Sequence, residues 1–176
     1  VTKMKKVKTA ELAPTAGTQL DAEALFALKS LFDKLRSPNI DCRQDGAKLA
    51  AKSRASYLFN STIAGSDDAD AILIVGSNPR LEAAVMNARI RRNYLYNRTP
   101  IALIGPEADL TYPVDHLGTD ISVLEQLATG KHKFAKTLKK AKRPMLILGM
   151  GALSRADGQA VMALARQIAE DTGMVT

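Results

Sequence analysis

The stretch from Asp70 to Gly76 constrains the fold of this chain more than any other. Within it Ala71-Ile72-Leu73-Ile74-Val75 is a continuous apolar run rich in β-branched residues, without the alternation of a half-exposed strand. A run of this kind, closed by a glycine, belongs to a strand buried on both faces, and such strands sit in parallel sheets covered by helices. Two further segments share the character: Pro100 to Gly105, which carries Ile101-Ala102-Leu103-Ile104, and Met145 to Leu148. Between the first two, Arg80 to about Tyr96 reads as a helix with Leu81, Ala84, Val85 and Ala88 on one face, which makes a βαβ unit. Such crossovers are right-handed in nearly all known cases. The predicted class is α/β, a Rossmann-like, mainly parallel sheet with helices on both faces, in a single domain over residues 1–176.

The flanking segments fit this frame. A short strand is expected near Lys8 to Ala13, ended by Pro14 and Gly17. From Asp21 to Leu35, Ala24, Leu28, Leu31 and Leu35 recur at helical spacing, with Asp21 and Glu23 at the end where the helix dipole favours anions. Ser37-Pro38-Asn39 stops that helix. Ile40 to Cys42 reads as a short second strand, and Arg43 to Gly65 as loop and short helix. Pro106 to Gly118 is expected to be an irregular loop, followed by a helix from about Asp120 to Ala128 that Gly130 caps. A basic helix spans Lys133 to Lys142. The last helix runs from about Arg155 to Asp171, with Val161, Leu164 and Ile168 inward, and another strand would be expected after it.

Composition excludes several kinds of chemistry. The 176 residues contain one cysteine, Cys42, and two histidines, His116 and His132. One thiol cannot close an internal disulfide or hold a four-thiolate zinc or iron–sulfur site, and two histidines cannot make a multi-histidine centre. The apolar runs fall far short of the roughly 20 residues of a membrane span. No charged segment followed by an apolar one opens the chain, which begins with Val1, so it reads as an excised piece of a cytoplasmic protein. The net charge of +7 comes from clusters at Lys3 to Lys8, Arg89 to Arg98 and Lys131 to Arg143. Aromatic residues are only 5% of the chain, and Tyr94 and Tyr96 lie inside a predicted helix, so a nucleic-acid partner is not expected.

Gly76-Ser77-Asn78-Pro79, followed by Arg80, lies between a strand and a helix at the sheet edge where α/β proteins gather ligands. Gly76 would permit close backbone approach, and Ser77 or Asn78 could hydrogen-bond a nucleotide. The same residues are equally good turn and cap chemistry. Gly149-Met150-Gly151-Ala152-Leu153-Ser154 resembles a dinucleotide fingerprint with its third glycine replaced by serine, a lone and weak match from which NAD binding is not expected. Thr129-Gly130-Lys131 lacks the upstream glycine of a P-loop and reads as a helix cap. Asp67, Asp68 and Asp70 read as a turn. No catalytic Ser/His/Asp or Cys/His order and no metal site emerges.

Arg54-Ala55-Ser56-Tyr57-Leu58-Phe59-Asn60-Ser61-Thr62-Ile63-Ala64-Gly65, then Ala69 to Arg92, Leu110-Thr111-Tyr112 with Asp115-His116-Leu117-Gly118, and Arg143 to Gly158 together resemble a known family. It is that of the large iron–sulfur subunits of proton-pumping NADH:quinone oxidoreductases, the respiratory complex I of bacteria. Asp70 to Pro79 is more distantly similar to molybdopterin oxidoreductases such as formate dehydrogenases and nitrate reductases.

The resemblance implies a structural, non-catalytic module with no cofactor of its own. The parent's [2Fe–2S] and [4Fe–4S] clusters would lie outside it, in a cysteine-rich region, and other peripheral-arm subunits on the cytoplasmic side of the inner membrane would be its partners. In molybdenum relatives the loop matching Gly76, Ser77, Asn78 and Pro79 approaches the guanine dinucleotide of the cofactor, which makes these four residues vestigial candidates for cofactor binding. Arg80 carries no cofactor role, and the metal-ligating residue of active relatives has no counterpart. The alternative is a domain that still binds molybdopterin guanine dinucleotide or another nucleotide.

Overall fold

Four strands, β1 (Ala71–Val75), β2 (Ile101–Ile104), β3 (Asp115–Gly118) and β4 (Pro144–Leu148), lie parallel in the order β3-β2-β1-β4. They come from a computed structural model that describes residues 3–17, 19–42, 46–49 and 54–174. Every residue of β1 is buried, as its unbroken apolar run requires, and Ile72 sits opposite both Ile101 and Met145. The chain divides into two compact units, Val1–Gly46 and Ala47–Thr176, and the sheet belongs to the second.

Helices cover both faces of the sheet. Ala71, Leu73, Val75, Ala102 and Ile104 pack against Leu124 and Leu127 of α5 (Ser122–Ala128), Phe134 and Leu138 of α6 (Lys133–Lys140), and Val161 and Ile168 of α8 (Gly158–Asp171). On the other face Ile72, Ile74, Ile101 and Leu103 meet Met86 and Ile90 of α4 (Ala84–Asn97), with Leu110 and Tyr112 from the loop after β2. Burial of one such side chain contributes about 1.5–3 kcal/mol, so this two-sided core is the main source of stability.

The inward face of α4 is not the expected one. Leu81 and Val85 are 80% and 67% exposed, and the buried positions are Met86, Asn87, Ile90 and Asn93. The two asparagines bury well because all their polar atoms find partners. Asn93 donates to the carbonyls of Ser66 (2.8 Å) and Ala69 (2.7 Å) and accepts from the hydroxyl of Thr99 (2.7 Å) and the amide of Asn97 (2.9 Å). Asn87 donates to the Leu110 carbonyl and accepts from the Tyr112 hydroxyl at 2.8 Å. The helix expected from Arg80 is also broken, into α3 (Pro79–Glu82) and α4, at Ala83, whose backbone is not helical (φ −147, ψ 62).

Other departures are local. The expected loop Pro106 to Gly118 ends in β3, a half-exposed edge strand with no apolar run to betray it. A short helix, α7 (Met150–Leu153), precedes α8, which starts at Gly158 rather than near Arg155. The first unit holds α1 (Ala22–Leu35), capped as expected by the Asp21 carboxylate on the Ala24 N–H (2.7 Å) and ended by Arg36 in the left-handed region. Its buried residue is Phe32, whereas Leu31 is exposed. No strand forms at Lys8 to Ala13, where Thr9–Glu11 make a 3-10 turn. The Asn39 amide and Ser37 hydroxyl take the carbonyls of Ala10 and Leu12 that a partner strand would have engaged. The strand expected at Ile40 to Cys42 reduces to one bridge between Asp41 and Thr15. Of the loop read from Arg43 to Gly65, residues 43–45 and 50–53 lie outside the described residues; the rest includes a 3-10 turn (Arg54–Ser56) and α2 (Thr62–Gly65).

Candidate functional site

The loop that follows β1 is built by close packing of its own backbone. Gly76 has φ +60, and its N–H extends the sheet by bonding the Ile104 carbonyl at 2.8 Å. A Cβ placed on Gly76 would lie 2.5 Å from the Ala152 Cβ and 2.6 Å from the Ala152 N in α7. Gly149 faces the same loop from β4, and a Cβ there would strike the Gly76 carbonyl and the Ser77 Cβ. The two glycine-bearing segments singled out in the sequence therefore press against each other. Gly76 lacks a side chain because α7 occupies that space.

The polar atoms of the loop are engaged internally too. Glu82, at the end of α3, reaches back one turn, its Oε1 accepting the Asn78 N–H at 2.6 Å and its Oε2 the Ser77 hydroxyl at 3.1 Å. This is the place where a helix start would otherwise attract an anion. Pro79 is buried in the first position of α3, where its missing N–H costs nothing. The Asn78 side-chain oxygen is buried without a hydrogen-bond partner. Arg80 turns away from the loop to Asp109, donating to its carboxylate at 2.6 Å and its carbonyl at 3.0 Å. The Thr111 N–H, and then Arg80, hold the Asp109 carboxyl below the usual carboxylate range.

The remaining candidates have structural partners. Ser154 of the fingerprint-like segment bonds back to the Met150 carbonyl. Gly130, with φ +74, closes α5 through the Leu127 carbonyl, as a cap should. His132 caps α6, its Nδ1 accepting the Phe134 N–H, and His116 Nε2 lies 2.7 Å from the Gly105 carbonyl. The acidic run is more than a turn. Asp67 pairs with Arg89 at 2.5 Å and with Arg92, Asp68 pairs with Arg143, and Asp70 accepts the N–H groups of Lys142 and Arg143 at 2.7 and 2.8 Å. Among the described residues no group of His, Cys, Asp or Glu is placed to hold a metal ion, and no helix is long and apolar enough to cross a membrane.

Sequence reasoning missed Glu82. The signal was a carboxylate shortly after a candidate cap, close to the spacing of a capping box.

A parallel sheet with helices on both faces, and glycine-bearing loops packed together at its carboxyl edge, is the framework of a Rossmann-like α/β domain. All 176 residues match the family model of molybdopterin oxidoreductases, and the chain belongs to that family. Its similarity is to particular members: the mitochondrial NADH dehydrogenase (ubiquinone) iron-sulfur protein 1 of Solanum tuberosum is 41% identical over 172 residues, 98% of this chain and 23% of that protein. An NADH-quinone oxidoreductase subunit from Rickettsia felis is 42% identical over 166 residues, 94% of this chain and 25% of its own, and its counterpart from Rickettsia conorii matches over the same shares. The chain thus spans about a quarter of the length of these relatives.

A guanine dinucleotide, which the sequence resemblance implies for this loop in molybdenum relatives, would need open N–H groups and room beside the glycine. At Gly76 to Pro79 the room is filled by Ala152 and the donors face a carboxylate, so the loop in this conformation does not fit a phosphate.

Proposed function

We propose that this chain is a structural, non-catalytic module of the large iron–sulfur subunit of an NADH:quinone oxidoreductase. The parent complex would pass electrons from NADH to quinone, coupled to proton translocation, with its [2Fe–2S] and [4Fe–4S] clusters held by other parts of the subunit. Its partners would be the other peripheral-arm subunits, on the cytoplasmic side of the inner membrane. Gly76, Ser77, Asn78 and Pro79 would be a relic of a cofactor loop. The observation that carries this reading is Glu82, which engages the Asn78 N–H and the Ser77 hydroxyl from within the chain.

The rival is a domain that still binds molybdopterin guanine dinucleotide or another nucleotide, and it requires Glu82 to leave Asn78. Isothermal titration of the full-length subunit with guanine and adenine nucleotides separates the two. The scaffold reading expects no binding heat at micromolar concentrations. Micromolar binding of either nucleotide would overturn it.

A further inference from the structure

Arg89 and Arg92 pair with Asp67, Arg143 with Asp68, Arg155 with Asp157 and Arg166 with Glu170. The lysines of α6 have no such partners. Lys133, Lys136, Lys139 and Lys140, with Lys131 in the turn before the helix, are all exposed, and among the described residues none of them forms an ion pair. The sequence holds no carboxylate between Glu125 and Asp157. Asp68 and Asp70 are taken up by Arg143 and by the N–H groups of Lys142 and Arg143.

The fold gathers these charges instead of spreading them. Phe134, Ala135 and Leu138 turn inward to the core, which leaves Lys133, Lys136 and Lys140 in line on the outer side, three and four residues apart. The turn after α5 brings Lys131 to the same patch, since a Cβ on Gly130 would lie 3.8 Å from the Lys139 Nζ.

This arrangement works against the helix itself. Like charges at that spacing repel, and Lys133 and Lys136 stand in the first turn, where the helix dipole favours anions. A surface rich in carboxylates would offset both effects.

The chemistry of the patch narrows the partner. Single-stranded nucleic acid takes basic grooves that also offer aromatic faces for stacking, and Phe134, the aromatic residue of α6, is buried. A membrane surface takes helices whose apolar side enters the lipid, and here that side is already in the core. An acidic protein surface matches the patch by charge alone.

We propose that the outer face of α6, together with Lys131, docks a carboxylate-rich surface of another polypeptide in the assembly. The inference rests on the reading of the chain as part of a multi-subunit complex; co-purification of the subunit with NADH:quinone oxidoreductase activity tests that reading separately.

The test treats the native assembly with a water-soluble carbodiimide, which joins a lysine amine directly to a carboxylate in contact with it. Lys133, Lys136 or Lys140 should be joined to an aspartate or glutamate of a different polypeptide. In the full-length subunit, Lys133→Glu combined with Lys136→Glu should weaken binding of that polypeptide about tenfold or more, and reversing the joined carboxylates to lysine should restore it. Glutamate suits the first turn of a helix, so the variant should keep the urea midpoint of its parent, and lost binding is then not lost folding. No link, links confined to this polypeptide or to a second copy, or a loss that the reversal fails to restore overturns the proposal. So does binding of RNA or of phosphatidylglycerol vesicles through the same lysines in place of a polypeptide.

Discussion

Ala152 stands where a side chain on Gly76 would have to go, its N only 2.6 Å from that Cβ position. Gly76→Ala should therefore cost about 2–4 kcal/mol, from the left-handed backbone and the overpacking together. Ala152→Gly removes the Cβ contact at 2.5 Å but neither the backbone N at 2.6 Å nor the φ cost, so the double variant should recover only part of the loss. Urea denaturation of the four proteins in the cycle measures this coupling, and strictly additive losses would contradict the part of the contact that the Ala152 Cβ makes.

The Glu82 cap gives a second expectation. Glu82→Ala should lower stability by about 1–2 kcal/mol, a charge-assisted hydrogen bond discounted for exposure. It should also speed exchange of the Asn78 amide. Glu82→Gln keeps an acceptor in place and should leave that amide near its original rate, which separates the hydrogen bond from the charge.

Reversal of the expected helix face can be checked directly. Ile90→Ala should cost about 2–5 kcal/mol as a buried truncation, whereas Leu81→Ala and Val85→Ala should stay within about 0.5 kcal/mol, as exposed substitutions do. Equal losses at all three positions would restore the face read from the sequence.

Burial pushes the Tyr112 hydroxyl up from its ordinary value. The folded state thus favours the neutral phenol. The stability it contributes is complete below the unfolded value of about 10 and falls as pH rises above it. Tyr112→Phe should flatten that alkaline decline. At neutral pH it should cost about 1 kcal/mol, because the Asn87 side-chain oxygen loses its donor. Urea midpoints at neutral pH and above pH ~10 provide the comparison.

The central sheet was legible because β1 and β2 are buried on both faces, and burial of that kind leaves apolar runs in the sequence. The same rule misleads at α4. A stripe of Leu81, Ala84, Val85 and Ala88 has helical spacing, yet the core side uses Asn87 and Asn93, whose burial depends on carbonyls and hydroxyls that only the fold assembles. Strand β3 was hidden for the opposite reason, since Asp115 and His116 are exposed at an edge. At the candidate loop, turn chemistry and the glycine were readable, but the proximity of Ala152 and Glu82 was not. One contact joins segments more than 70 residues apart, and the other depends on how α3 begins.

A strand apolar on both sides has no inside and outside, so hydrophobicity alone discriminates poorly between neighbouring alignments. Here polar side chains set the phase. Asn93 ties the carbonyls of Ser66 and Ala69, just before β1, to Thr99, just before β2. Asp70 grips the backbone of Lys142 and Arg143, just before β4. Three interchangeable greasy ribbons are thereby started in step, much as pins align sheets of paper whose faces offer no marks of their own.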